Sequence, residues 1–273
     1  MNEMVKVISD ICTGSKSSNR ENILNYEKLA KELPQLEIPP THHIHGGMYG
    51  REITIPKGTI ITGQIYKFDH FDIMVSGDIT VSTDTGEVMR LEGFNLFKGM
   101  AGKKRAGYAH EDTRWITFHP IDGDNGEEIQ KHITAETFED LSSFHNDINK
   151  ADYHLFVEQS GMTQEQIIEQ VENAEDFDGS EINGVYVEDS KIQGKGLFAS
   201  KQYFIGDLIC SARNGSIRTI GGRYSNHAIF SNAEIVVTDK GAELLATRDI
   251  EESEEITVNY RTVIKNRILT GDL

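Results

Sequence analysis

The sequence predicts a mainly β protein with a helical connector, and three observations carry that reading. Short runs rich in β-branched and aromatic residues recur between glycine and polar turns over residues 41–120. The same texture returns over 183–267. Between them lies a segment, 121–182, whose apolar residues recur at helical spacing. The division expected is a lead-in over 1–40, a β domain over 41–120, an acidic helical connector over 121–182 and a second β domain over 183–273.

With 273 residues the chain has room for more than one core. Charged residues make up 26% and apolar residues 37%, the composition of a folded chain rather than a low-complexity tail. The 44 acidic residues outweigh the 27 basic ones, for a net charge of −17. That balance argues against nucleic-acid binding, which needs basic surface to meet phosphates. The charge is uneven: between Ile121 and Ile182 stand 17 acidic residues and 2 lysines, so the flanking modules are close to neutral.

In the lead-in, Gly14 to Asn19 reads as a polar loop. A short helix is predicted over Glu21 to Leu33 from Ile23, Leu24, Tyr26, Leu29 and Ala30, and Pro34 stops it. Met1 to Asp10 lacks the basic head and apolar run of a signal peptide, and no apolar run approaches the ~18 residues of a membrane span. Cys12 and Cys210 are too few for a disulfide framework or a cysteine zinc site. A cytoplasmic protein is therefore expected, with no membrane partner.

The strands expected in 41–120 are REITIPKG, TIITGQIY, FDIMVSGD, ITVSTDTGE and TRWITFHP. Period-2 geometry puts Trp115, Thr117 and His119 on one face, and Gln64 with Tyr66 opposite Ile65. His43 and His45 also share a face, either as a chelating pair or as a polar strand edge beside Gly46 and Gly47. They are the candidates for a metal, but no metal is expected because no third ligand stands at a convincing spacing. Lys103, Lys104 and Arg105 read as a solvated basic loop. In 121–182, Thr137 with Asp140 resembles a helix start ahead of Phe138, Leu141, Phe144, His145 and Ile148. Thr163 with Gln166 makes a second capping box, with Met162 and Ile167 as its hydrophobic staple.

Three ordered motifs carry the functional signal: GKGLFAS (Gly194 to Ser200), RYSNHAIFSNAEI (Arg223 to Ile235) and ATRDIEESEEITVNY (Ala246 to Tyr260). Together they resemble the SET domain of protein-lysine methyltransferases, over 183–267. The resemblance implies S-adenosylmethionine as cofactor, held by Gly194, Lys195, Gly196, Asn226 and His227. It implies Tyr260 as the catalytic tyrosine at the methyl-transfer channel and Tyr224 as a channel wall. Asn232 and Ala233 would be structural. Glycines suit such a site because a backbone without Cβ lets a ligand approach closely. This chain departs from the pattern in having only 16 residues between Ile209 and Asn226, where catalytic relatives carry a helical insert.

The run from Ile55 to Val81 resembles the first motif of a cupin, with Gln64 and Tyr66 at its His-x-His positions and Arg105 where its late histidine stands. That resemblance implies a barrel or sandwich that has lost its ion, since Gln, Tyr and Arg are not an ordinary transition-metal set. The pairing of a cupin-like module with a short SET-like one resembles proteins of tailed phages and prophages. Two functions follow as expectations. One is a protein-lysine methyltransferase acting on a protein partner, with a lysine-rich one drawn by the acidic segment. The other is a non-catalytic phage structural, assembly or host-interaction protein, in the host cytoplasm or on the virion. A homo-oligomer is expected in either case.

Overall fold

Strand periodicity decides most of the architecture. The computed structural model describes residues 16–32, 34–83, 88–161, 163, 165–166, 168–169 and 177–263. Cys12 and the staple residues Met162 and Ile167 lie outside them. The chain is mainly β, as expected, and divides into two compact units, residues 1–142 and 143–273.

The first unit opens with helix α1 (Lys16–Ala30) and continues with β1 (Thr41–His45), β2 (Met48–Ile55), β3 (Ile60–Thr62), β4 (Ile65–Tyr66), β5 (His70–Ser76), β6 (Asp78–Ser82), β7 (Val88–Glu92), β8 (Asn95–Gly99), β9 (Ala106–Ala109) and β10 (Thr113–His119). Helix α2 (Gly126–Ile133) and β11 (Thr134–Ala135) follow. One antiparallel sheet has the order β1-β2-β10-β5-β8 and a second the order β3-β9-β6-β7. Ile53, Ile55 and Met74 of the first sheet share a core with Ile79, Val81 and Ala109 of the second. Two antiparallel sheets facing each other across a common interior match the barrel or sandwich expected for 41–120.

Helix α1 corrects one expectation. It begins at Lys16, inside the stretch read as a loop, and ends at Ala30 rather than Leu33. No glycine or proline interrupts the chain between Gly14 and Pro34, so nothing breaks the helix where polar composition suggested a loop. Its Ile23 is fully buried beside Ala106.

The acidic segment is shared out between the units. Asn125 caps α2 by accepting from the backbone N–H groups of Glu127 and Glu128. One face of α2 then buries Ile129 and Ile133 with Tyr49 and Tyr66. Helix α3 (Phe138–Ser160) starts on the expected Thr137–Asp140 pair, each residue's N–H donating to the other's side chain at 3.0 Å. Thr163 and Gln166 exchange the two bonds of the second expected capping box.

The second unit holds β12 (Phe177–Asp178), β13 (Val185–Asp189), β14 (Lys195–Ala199), β15 (Leu208–Asn214), β16 (Ile217–Thr219), the short helix α4 (Ile220–Tyr224), β17 (Asn226–His227), β18 (Ala233–Thr238), β19 (Gly241–Ala246) and β20 (Glu255–Val258). Its sheet runs β12-β16-β15-β19-β18-β20-β14-β13, with β17 pairing alongside β20. Leu197, Leu244, Ile250 and Ile256 are fully buried at its centre. The burial of alternate residues along β19 is what a sheet with one covered face requires.

Candidate functional site

The three C-terminal motifs meet because β14, β17 and β20 are neighbours. β13 and β14 form a hairpin in which Asp189 faces Lys195, and the chain reverses through Ser190 to Gly194. Gly194 has φ +52, a left-handed conformation that favours glycine, and open space where a Cβ would stand. β17 runs parallel to β20, placing Asn226 beside Thr257 and His227 beside Val258.

Asn226 is the knot of this region. Its amide donates to the carbonyls of Gln193 and Lys195, each at 3.1 Å, and to Glu255 Oε1 at 2.9 Å. Ser190 Oγ donates to the same Glu255 carboxylate at 2.7 Å. Burial pushes the Glu255 carboxyl above its ordinary range, against the pull of Asn226 and Ser190. Gly196 sits so close to Glu255 that a side chain there would strike the carboxylate. Asn232, read as structural, is 1% exposed and pins β20: it donates to the Glu255 carbonyl and accepts from Thr257 N–H, both at 2.8 Å.

His227 is fully buried and has a fixed tautomer. Its Nδ1 accepts from the backbone N–H of Tyr260 at 3.0 Å, so the ring proton sits on Nε2, which donates to Asp152 Oδ2 at 2.6 Å. Asp152, on α3, also receives Arg261 at 3.1 Å. Burial alone would raise the Asp152 carboxyl, but Arg261 and His227 outweigh it and hold the group below the usual carboxylate range. Phe156 stacks on His227 and meets Tyr260 edge-on. The Tyr260 hydroxyl donates to the Ser225 carbonyl at 3.0 Å, and burial raises its pKa. Asn226, His227 and Tyr260 are thus drawn together with the Gly194 turn.

The other sequence candidates are placed as follows. Tyr224 ends α4 and meets Phe177 edge-on at 6.3 Å. The Lys195 side chain turns to solvent and pairs with Asp189, so only its backbone belongs to the turn. His43 and His45 lie on the exposed face of β1, and His43 bonds Glu52 at 2.8 Å. Among the described residues no group of three or more His, Cys, Asp or Glu is placed to hold a metal ion. Cys210 is buried, which pushes its thiol up to about 12 and leaves it unreactive at neutral pH.

The first unit contains a second feature, a cavity of about 150 Å³ between its two sheets. Gln64, Tyr66 and Arg105, the residues at the cupin ligand positions, all line it. So do Lys103 and Arg105, while Lys104 pairs with Glu27 at 2.8 Å. These three residues were expected to form a solvated loop. None of the three is a freely solvated side chain: Lys103 and Arg105 line the cavity, and the Lys104 side chain is 7% exposed against Glu27. Sequence reasoning missed Arg51 and Asp72 here, although Arg51 follows the inward alternation of Tyr49, Ile53 and Ile55 along β2. It also missed Asp152, Arg261 and Ser190, which are ordinary polar residues until the fold joins them, and it gave no role to Glu255, although that residue stands in the third motif.

Comparison with known proteins comes down to two findings. The family model of the SET domain matches residues 52–261, more than half of the chain and extending well upstream of Gly194. Solved structures similar to part of the chain include a cupin-2 domain protein of Shewanella frigidimarina (10% identity over 35% of this chain and 91% of that one, TM-score 0.26). A cupin superfamily protein of Desulfitobacterium hafniense shows 13% identity over 34% of this chain and 88% of that one, TM-score 0.28. Ectoine synthase of P. lautus shows 14% identity over 38% and 78%, TM-score 0.31. No curated protein matches the chain.

Proposed function

Because the chain belongs to the SET-domain family, we propose that it is an S-adenosylmethionine-dependent protein-lysine methyltransferase of phage or prophage origin, acting in the cytoplasm of the host. One observation carries the reading: Asn226 ties down both carbonyls flanking Gly194 while its neighbour His227 holds the backbone of Tyr260. The residues suit the cofactor. The Gly194 turn has open space for a ligand against its backbone, and Asn226 with Glu255 and Ser190 holds that turn rigid. When bound, S-adenosylmethionine supplies a methyl group on a positively charged sulfur.

The remaining chemistry belongs to the protein. The Tyr260 hydroxyl donates a hydrogen bond to the Ser225 carbonyl and keeps its proton, so its oxygen lone pairs are left to accept from an incoming lysine amine. Burial keeps the phenol neutral, so it orients the amine without competing for its proton. Placement of the nucleophile is the larger part of such catalysis. Tyr224 with Phe177 would form a wall of the channel. The acidic residues of 121–182 would attract a lysine-rich protein substrate. Exposed Phe71 and Leu96 on the first unit's outer sheet support assembly into a homo-oligomer, which light scattering measures.

Calorimetric titration of the full chain with S-adenosylmethionine tests the proposal. Binding is expected, and its absence up to about 1 mM cofactor overturns the reading. Tyr260→Phe should lower methyl transfer at least about tenfold while leaving cofactor affinity within about twofold. A second reading, a non-catalytic assembly or host-interaction protein, has its own support. Residues 210–225 are used up by β15, β16 and the five-residue helix α4, which leaves little chain to form a substrate groove. Cofactor binding without transfer to any lysine-containing protein or peptide would favour that reading.

A further inference from the structure

We propose that the cavity of the first unit is a binding site for a small organic carboxylate. Its lining carries two guanidinium groups, Arg51 and Arg105, beside one carboxylate, Asp72, in a chain whose net charge is −17. Asp72 is already engaged. Trp115 Nε1 donates to it at 3.0 Å, His70 lies 3.6 Å away and Arg105 3.9 Å away. Arg51 donates instead to the neutral amide of Gln130 at 3.3 Å, and no carboxylate among the described residues pairs with it. A guanidinium facing an interior without a counter-charge is costly unless an anion completes it.

The chemistry of the walls narrows the anion. A planar guanidinium matches a carboxylate through two parallel hydrogen bonds. Ile53, Ile55, Ile61, Ile79, Val81 and the Trp115 indole give the lining an apolar part, which inorganic phosphate would leave uncovered and an organic body would fill. Gln64 Oε1 is buried with no hydrogen-bond partner, so a ligand carrying a hydroxyl donor would complete it. A volume of about 150 Å³ is the size that takes a benzene ring, so the organic body is a single ring or a short chain. Arg105 stands where the cupin resemblance puts the late histidine, and a guanidinium there repels a metal ion and attracts an anion.

Titration calorimetry of the full chain with benzoate, 3-hydroxybutyrate and inorganic phosphate is the test. At least one of the two carboxylates should bind once per chain. Arg51→Gln and Arg105→Gln should each weaken that binding at least about tenfold, equivalent to about 1.4 kcal/mol. Ile61→Phe, which fills the cavity from β3 without removing a charge, should abolish it. Circular dichroism and thermal melting establish that each variant folds. The proposal is overturned if neither carboxylate binds at about 10 mM, if phosphate alone binds, or if carboxylate binding survives all three substitutions.

Discussion

His119 illustrates what a single side chain contributes when burial leaves it alone. It is 1% exposed, packs 4.8 Å from the rings of both His70 and Tyr66, and makes no hydrogen bond through either nitrogen. Burial first, and the neighbouring His70 second, depress its pKa from 6.5 to about 4, against a smaller upward pull from Asp72. The folded state therefore holds it neutral where the unfolded chain would protonate it. Its effect on stability is absent above pH 6.5 and becomes a growing penalty as pH falls toward 4. At pH 5 that penalty is about 2 kcal/mol relative to pH 8. His119→Phe keeps the ring and removes the proton site, so its urea-unfolding free energy should fall less than the parent's between pH 8 and pH 5. Equal losses in the two proteins would mean that His119 is not the titrating group. The period-2 pattern of TRWITFHP put His119 on one face with Trp115 and Thr117, but neither that this face is buried nor the isolation of His119 was legible. That depends on the strand opposite, which pairs with other residues.

Elements show the same division between what a pattern reveals and what only contacts decide. The Thr137–Asp140 start of α3 could be read directly, because a capping box is a local signal spanning one turn. What α3 does with its far end is non-local: Asp152 reaches His227 and Arg261, 75 and 109 residues away in the chain. Likewise Gly194, Asn226 and Tyr260 were recognisable from their motifs and Glu255 stood in the third of them without a role, while Ser190, which also holds the turn, carries no signal of its own. Asp152→Ala would strand the buried His227 N–H and release Arg261. An unsatisfied buried donor costs about 1–3 kcal/mol, so chemical denaturation should show a loss of that size. Tyr260 is anchored through His227 Nδ1, so methyl transfer should fall as well. Asp152→Asn retains an acceptor for His227 and should recover most of the stability. The carboxyl lies below its ordinary value of 3.8, so its contribution is present above that pH and is lost as pH drops through the folded value. If Asp152→Ala is as stable as the parent at pH 7, the His227–Asp152 bond is not holding the element.

At the scale of the whole molecule, the charge pattern and the cores give different pictures of the acidic segment. Composition made residues 121–182 look like a separable connector. The structure spends Ile129 and Ile133 on a core with Tyr49 and Tyr66, and Asp152 on His227. Deleting the segment would therefore remove parts of two cores and could not report on charge alone. Each unit has its own buried cluster, Ile53 with Met74 and Ile79 in one and Leu197 with Leu244 and Ile256 in the other. Chains with separate cores commonly unfold in more than one step. Scanning calorimetry of the full chain should resolve two transitions. At pH 5, His119→Phe should raise one of them by several degrees and Asp152→Ala should lower the other, since the two residues lie in different units. The same experiment assigns the sites: benzoate should move the transition that His119→Phe moves, and S-adenosylmethionine the one that Asp152→Ala moves, each by mass action on the unit that binds it. A single transition shifted by both substitutions would show that the two cores unfold as one cooperative structure.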